Sequence, residues 1–273
     1  MKLQKALDKA KQNRKQDDVR VGPAPQPVTK ERPSEARWAA PVYSTSTQVP
    51  IDTQVLKANR CICIESGGPE MESYKVLRAK IQHRALENNW RTVMVTSPSP
   101  GDGKTLTAVN LALTMARAYD QTVLLADCDL KRQSLHKILG IDSHMGLQDY
   151  LVNGTPLEKI IIWPGVEKMS LISGGEPAIN SAEILASPQM NDLVEELKIR
   201  YDDRIVLFDT PPVLSGADTL ALAPLVDCIV MVVSEGKTSM KDVKKAIDVI
   251  PPDKLLGFVI NRQRFDAAKV YYG

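Results

Sequence analysis

The sequence predicts an α/β fold: a mostly parallel β-sheet with helices on both faces, preceded by a flexible N-terminal tail. Three observations point there. Six short apolar runs recur between longer amphipathic stretches, the alternation expected of βαβ units around a parallel sheet. The chain is 43% apolar but only 5% aromatic, which suits a sheet built from Val, Ile and Leu rather than an aromatic-cored sandwich. Its 273 residues leave room for one large domain plus a tail.

Residues 1 to about 20 (MKLQKALDKAKQNRKQDDVR) are basic, with Leu3, Ala6, Leu7 and Ala10 at helical spacing. They read as a solvated helix, or as a docking helix for a partner or an anionic membrane surface. The apolar stripe is short, which favours a partner over lipid. From 22 to about 50, Pro23, Pro25, Pro27, Pro33, Pro41 and Pro50 stand among Ser, Thr and Gln, the composition of a flexible linker. Trp38 and Tyr43 lie within it as exposed candidates for contact or modification. The expected division is a tail over 1–60 and a folded domain over 61–273.

Regular structure is expected from about 70. Pro69-Glu70 opens a helix through Leu86, with Met71, Tyr74, Leu77, Ala79 and Ile81 on its apolar side. The apolar runs follow as TVMVTS (92–97), TVLLAD (122–127), MSLIS (169–173), RIVLFD (204–209), CIVMVV (228–233) and LLGFVI (255–260). The net charge of +2 gives no ground for a nucleic-acid partner. Of the four cysteines, Cys128 and Cys228 sit in strand-like runs as buried, reduced thiols, which fits a reducing compartment. Cys61-x-Cys63 reads as a strand edge rather than a metal site, because no second ligand pair accompanies it. No apolar run approaches the roughly 20 residues of a membrane-spanning helix, and there is no apolar signal core. The expected location is cytoplasmic.

Ligands of such sheets bind at the C-terminal ends of the strands. Three apolar runs close there on polar residues: Ser97, Asp127 and Asp209. After the first comes Pro100-Gly101-Asp102-Gly103-Lys104-Thr105. Glycines let the backbone curl so that successive N–H groups face phosphate oxygens, and a helix starting at about Lys104 adds its positive end. Lys104 is placed to reach the β- and γ-phosphates, and Thr105 to offer its hydroxyl to Mg²⁺. The usual pattern is G-x-x-x-x-G-K-[ST]; Pro98 stands at its first glycine. In VLLADCDLKRQSLH (123–136), Asp127 and Asp129 flank Cys128 on one face if the strand persists. Such a pair suits holding the waters of a metal or accepting a proton from an attacking hydroxyl. In IVLFDTPP (205–212), Asp209 closes an apolar strand as the second metal-holding element of a P-loop enzyme, positioned by a stiff Thr-Pro-Pro loop.

Together, SPSPGDGKT, LLADCDLKRQSLH and IVLFDTPP resemble the Walker A, Walker A′ (usually D-x-D-x-R) and Walker B motifs of the bacterial tyrosine kinases. Members of that P-loop family autophosphorylate and control polysaccharide synthesis and export. The likeness runs from about Glu70 to Asn261 and is nearest to the cytoplasmic, stand-alone form from exopolysaccharide loci. ESYKVLR (72–78) is similar to the family's E-x-x-R-x-x-R oligomerisation motif, with Glu72 and Arg78 kept and Lys75 in place of the middle arginine. A sister branch of partitioning and positioning ATPases carries a signature lysine in K-G-G-x-G-K-[ST]; here Ser99 occupies that position, as the kinase branch implies.

The resemblance implies an ATP-dependent protein-tyrosine (auto)kinase using ATP and Mg²⁺. It implies nucleotide contacts from Pro100, Gly101, Asp102, Gly103, Lys104, Thr105 and Leu106, with Asn261 and Arg262 at the adenine base. Lys104, Asp127, Asp129 and Asp209 form the catalytic set, and Thr105, Asp127 and Asp209 the metal set, with Asp127 the candidate base. Tyr271 and Tyr272 are the candidate phosphoacceptors in a tail shorter in tyrosines than the family's usual one. His136 stands where the family has a histidine, with a structural or a catalytic role, and Asp218 reads as a cap or a supporting group. The implied partners are a membrane-bound polysaccharide co-polymerase that activates the kinase and other copies of the chain, with recruitment to the inner face of the cell membrane. The alternative is an ATP-switched scaffold of the partitioning type without protein kinase activity.

Overall fold

The computed structural model describes residues 47–64, 68–142 and 145–263. The basic N-terminal stretch, Trp38, Tyr43, Tyr271 and Tyr272 lie outside the described residues.

Eight strands form one sheet: β1 (Thr47–Gln48), β2 (Thr92–Thr96), β3 (Thr122–Asp127), β4 (Ile161–Trp163), β5 (Met169–Ile172), β6 (Arg204–Asp209), β7 (Cys228–Ser234) and β8 (Leu255–Asn261). Their order is β1-β4-β5-β3-β6-β2-β7-β8, and every pairing is parallel except β4 with β5. The helices are α1 (Thr53–Ala58), α2 (Pro69–Asn88), α3 (Lys104–Met115), α4 (Leu135–Leu139), α5 (Leu147–Asn153), α6 (Leu157–Ile160), α7 (Ser181–Leu185), α8 (Pro188–Ile199), α9 (Asp218–Leu222) and α10 (Met240–Val249).

The central strands are buried along their whole length because both faces carry helices. Side chains alternate between two cores with period 2. Met94, Leu124, Phe208 and Met231 point into one core, shared with α8 through Met190, Leu193, Val194 and Leu197. Val93, Val95, Leu125, Leu207 and Val230 point into the other, where α3 supplies Val109, Leu111, Ala112 and Met115. That is why each apolar run lacks polar–apolar alternation. At the far edge, β8 leaves Phe258 and Ile260 exposed.

The six expected strands are present, and two more join them. Gln48 and Trp163 are register partners of β1 and β4, and the Val49 and Ile51 amides donate to the Trp163 and Pro164 carbonyls (3.0 and 3.2 Å). The linker composition over 22–50 therefore gives way to structure at its end. An edge strand of two residues needs only backbone partners, which composition does not reveal. Residues 53–60 are folded as well. The Asp52 carboxylate accepts from Gln54 N (2.7 Å) to start α1, and Leu56 is fully buried in the same core as the α3 side chains. The folded unit thus includes residues 47–60, ahead of the boundary expected at 61. Cys61 and Cys63 lie in a loop and a 3₁₀ turn, not a strand edge, as free buried thiols. Burial pushes Cys61 up to about 12.

Candidate functional site

The site forms where β2, β3 and β6 end side by side. Val95 is the register partner of Asp209, and Asp209 that of Asp127. The loops beyond are tied together at once: Thr96 Oγ1 donates to Pro211 O (2.8 Å), Val213 N to Ser97 O (2.8 Å) and Cys128 N to Asp209 O (2.8 Å).

The glycine-rich turn is built by its own polar groups. Ser97 Oγ donates to Ser99 O (2.9 Å), and Ser99 N donates to the Asp102 carboxylate (3.0 Å). Gly101 and Gly103 adopt φ of 77° and 99°, a left-handed backbone that side chains strain. α3 then begins at Lys104, with its free amides facing the turn. The Lys104 side chain is almost buried. Its ammonium lies 2.9 Å from Asp129 Oδ2, 3.2 Å from Thr105 Oγ1 and 3.6 Å from Asp209 Oδ1. Burial disfavours that charge, but the carboxylates of Asp209, Asp129 and Asp127 outweigh it, and the lysine pKa is raised.

β3 ends at Asp127, so Asp129 sits in the following turn rather than on an extended strand. The pair is nevertheless brought together. Asp127 Oδ1 accepts from Asp129 N (3.0 Å) and Oδ2 from Leu135 N (3.2 Å), which folds the turn back and aims Asp129 at Lys104. Complete burial, then the charge of Asp209, push the Asp127 carboxyl up to about 8. Asp209 is raised too, burial again outweighing Lys104. Both Asp209 carboxylate oxygens lack a hydrogen-bond partner among the described residues, and 3.6 Å to Lys104 is too long for one. A buried carboxylate with an ion-pair contact to Lys104 but no hydrogen bond, beside a hydroxyl and a phosphate loop, suits a bound cation. Among the described residues, no group of three or more His, Cys, Asp or Glu side chains is arranged to hold a metal by itself. A divalent ion here would therefore need phosphate oxygens as further ligands, the usual habit of Mg²⁺.

Leu106, in the first turn of α3, borders a groove of about 920 Å³ that also touches Gly103, Tyr74, Phe258, Asn261 and Arg262. Asn261 and Arg262 also reach the loop itself: Asn261 Nδ2 donates to Asp102 O (2.9 Å) and Arg262 Nη2 to Gly101 O (3.0 Å). Other expected residues stand apart. His136 has Lys137 and Asp142 as its charged neighbours, and burial holds its pKa down. Asp218 is buried between Lys131 Nζ (2.8 Å) and the Ser181 hydroxyl. Burial would raise its pKa; those two partners lower it instead. On α2, Lys75 pairs with Glu72 (2.6 Å), and Arg78 Nη1 donates to Thr114 O at the end of α3 (2.8 Å).

Two residues escaped the sequence reading. Ser134 Oγ lies 3.2 Å from Thr105 Oγ1, and Lys237 Nζ donates to Pro100 O (2.7 Å). Lys237 follows β7, so searching every strand end, rather than those of β2, β3 and β6 alone, would have found it. Ser134 carries no such signal.

Strand ends, phosphate loop and paired carboxylates define a P-loop nucleotide-binding protein. Residues 89–270 match the ParA family, described as NUBPL iron-transfer P-loop NTPase. Tyrosine-protein kinase YwqD of Bacillus subtilis is 32% identical over 202 residues, covering 73% of this chain and 84% of that protein. Tyrosine-protein kinase ptk of Acinetobacter johnsonii is 30% identical over 230 residues, 81% of this chain but 31% of its own length. The crystal structure of the chimerical protein CapA2B2 superposes with a TM-score of 0.69 at 27% identity, over 85% of this chain and 98% of that one. The chain belongs to the bacterial tyrosine-protein kinases, within the ParA-type P-loop proteins.

Proposed function

We propose that the protein transfers the γ-phosphoryl group of Mg·ATP to a tyrosine hydroxyl, with Tyr271 or Tyr272 of an adjacent copy as the acceptor. The observation that carries this reading is the nearly buried Lys104 ammonium among three carboxylates, one of them without a hydrogen bond, at the mouth of a glycine-rich loop.

Lys104 and the loop amides from Gly101 to Thr105 bind and orient the phosphates, with Pro100 shaping the turn. The groove beside Leu106, Asn261 and Arg262 takes the nucleoside. Thr105, Asp209 and Asp127 would hold Mg²⁺, with Asp129 in support. Mg²⁺, when bound, neutralises charge on the β- and γ-phosphates. The tyrosine oxygen attacks the γ-phosphorus, the bond to the bridging oxygen breaks, and ADP leaves. Asp127 accepts the tyrosine proton in its ionised form, which burial and Asp209 disfavour in the free protein and a bound divalent cation would favour. Catalysis is mostly positioning and electrostatics.

The cellular role follows from the motif resemblance: regulation of exopolysaccharide synthesis or export. The activator is a membrane-bound polysaccharide co-polymerase, and Glu72, Lys75 and Arg78 contribute to contacts between copies. Among the described residues no helix is long and apolar enough to cross a membrane. A cytoplasmic kinase recruited to the inner membrane face by its partner accords with that.

Labelled Mg·ATP tests the assignment. Wild type should label itself, Lys104→Met should not, and Tyr271→Phe with Tyr272→Phe should lose the label if the tail is the acceptor. A Lys104→Met protein that still labels sinks the site. ADP release without any label would favour the scaffold ATPase instead.

A further inference from the structure

We infer that Lys237, Arg262 and Asn261 form an outer clamp that positions the phosphate loop and strengthens its amide donors. The inference rests on the nucleotide reading of that loop. Lys237 Nζ donates to Pro100 O (2.7 Å), Arg262 Nη2 to Gly101 O (3.0 Å) and Asn261 Nδ2 to Asp102 O (2.9 Å). Three consecutive carbonyls are thus each taken by a different side chain from the ends of β7 and β8.

The arrangement has a chemical consequence. An anion-binding loop turns successive N–H groups toward its ligand, which leaves the matching carbonyls in need of partners. Each carbonyl shares a peptide unit with the next N–H. Lys237 on Pro100 therefore polarises the Gly101 amide, Arg262 on Gly101 the Asp102 amide, and Asn261 on Asp102 the Gly103 amide. Hydrogen bonds strung through a peptide unit reinforce one another, most of all when a cation donates.

The local structure is arranged to hold the three side chains there. Ser234 and Asn261 are register partners, and Glu235 N donates to Asn261 O (2.9 Å), so the turn bearing Lys237 sits beside the end of β8. Thr238 Oγ1 accepts from Ser234 N (2.7 Å) and fixes that turn. Arg262 occupies a left-handed backbone, φ 59°, with its amide donating to Asn261 Oδ1 (2.8 Å). An arginine in that region is strained, and such strain gathers at functional sites. The glycines complete the fit: a Cβ on Gly101 would lie 2.6 Å from Lys237 Nζ, and one on Gly103 would collide with the Asn261 amide.

The clamp acts on the amides around the β-phosphate, so it should change the preference for ADP over AMP. Calorimetric titration of both nucleotides into wild type, Lys237→Met, Arg262→Met and Asn261→Leu reads this out, with thermal melting to confirm folding. ADP should bind about tenfold more weakly to Lys237→Met while AMP affinity holds, the loss expected of one charge-assisted hydrogen bond, and Arg262→Met and Asn261→Leu should lose more ADP affinity than AMP affinity. Lys237→Arg should restore ADP binding. Equal weakening of ADP and AMP would mean base contact in place of a clamp, and unchanged ADP binding in folded variants would also overturn it. Lys104→Met separates the two readings: if it binds ADP as wild type does, the nucleotide site itself is misplaced. If it fails to bind while the clamp variants bind normally, only the clamp is lost.

Discussion

Asp127 and Asp209 are register partners on adjacent strands, both completely buried, and the Lys104 ammonium lies 3.6 Å from Asp209 Oδ1. Burial, and then the charge of Asp209, disfavour ionisation of Asp127 and push its carboxyl up to about 8. An unfolded aspartate releases its proton near about pH 3.9. The folded pKa is raised, so its contribution to stability is whole below about pH 4 and is lost as pH rises through about 8. Asp127→Asn removes the titration. Its denaturation midpoint should fall less than that of wild type between about pH 5 and about pH 8.5. Identical pH profiles would mean that Asp127 ionises like an ordinary aspartate.

Leu56 ties the segment ahead of α2 to the core. It is fully buried in the core that α3 and α4 share, so Leu56→Ala should cost about 2–5 kcal/mol by the lost transfer energy and the cavity left behind. Urea unfolding measures it. A change under about 0.5 kcal/mol would show that residues 53–58 are dispensable to the domain.

Gly103 and Gly154 share a left-handed backbone but differ in surroundings. A Cβ at Gly154 meets nothing within 4 Å, whereas at Gly103 it meets Asn261. Gly154→Ala should cost about 1 kcal/mol and leave nucleotide binding intact. Gly103→Ala should weaken ADP binding well beyond its effect on melting. Equal effects of the two on ADP affinity would contradict the close approach of Asn261.

Lys131 is half exposed, yet its partner Asp218 is buried. Lys131→Ala leaves Asp218 with the Ser181 hydroxyl alone and should cost about 1 kcal/mol, screening having reduced the ion pair. Lys131→Met should behave alike, and Lys131→Arg should recover part of the loss. A neutral Lys131→Ala in thermal melts would make the pair incidental.

The sequence carried the central strands because residues buried on both faces leave unbroken apolar runs, and it carried Lys104, Asp127 and Asp209 because each closes or follows such a run. β1 and β4 were hidden: strands of two and three residues at the sheet edge are specified by backbone partners far along the chain. The position of Asp129 was only half legible. Its spacing from Asp127 suggested a shared strand face, but the Asp127 carboxylate caps the turn and redirects it. The grip of Asn261 and Arg262 on the loop carbonyls depends on where β8 ends and on one left-handed residue, neither of which composition encodes.

The strand that carries the phosphate loop has β6 and β7 as its neighbours, and both come from the last third of the chain. Loop-closure entropy must be overcome before those distant pairings give anything back, so folding should be slow by the standards of local, helical proteins. On the ribosome, β2 and α3 would emerge long before the strands that flank them. A half-made chain would therefore display the Gly-Lys-Thr turn without the carboxylates of β6 or the side chains beyond β7 and β8. Competence to handle a nucleotide would be among the last properties the polypeptide acquires.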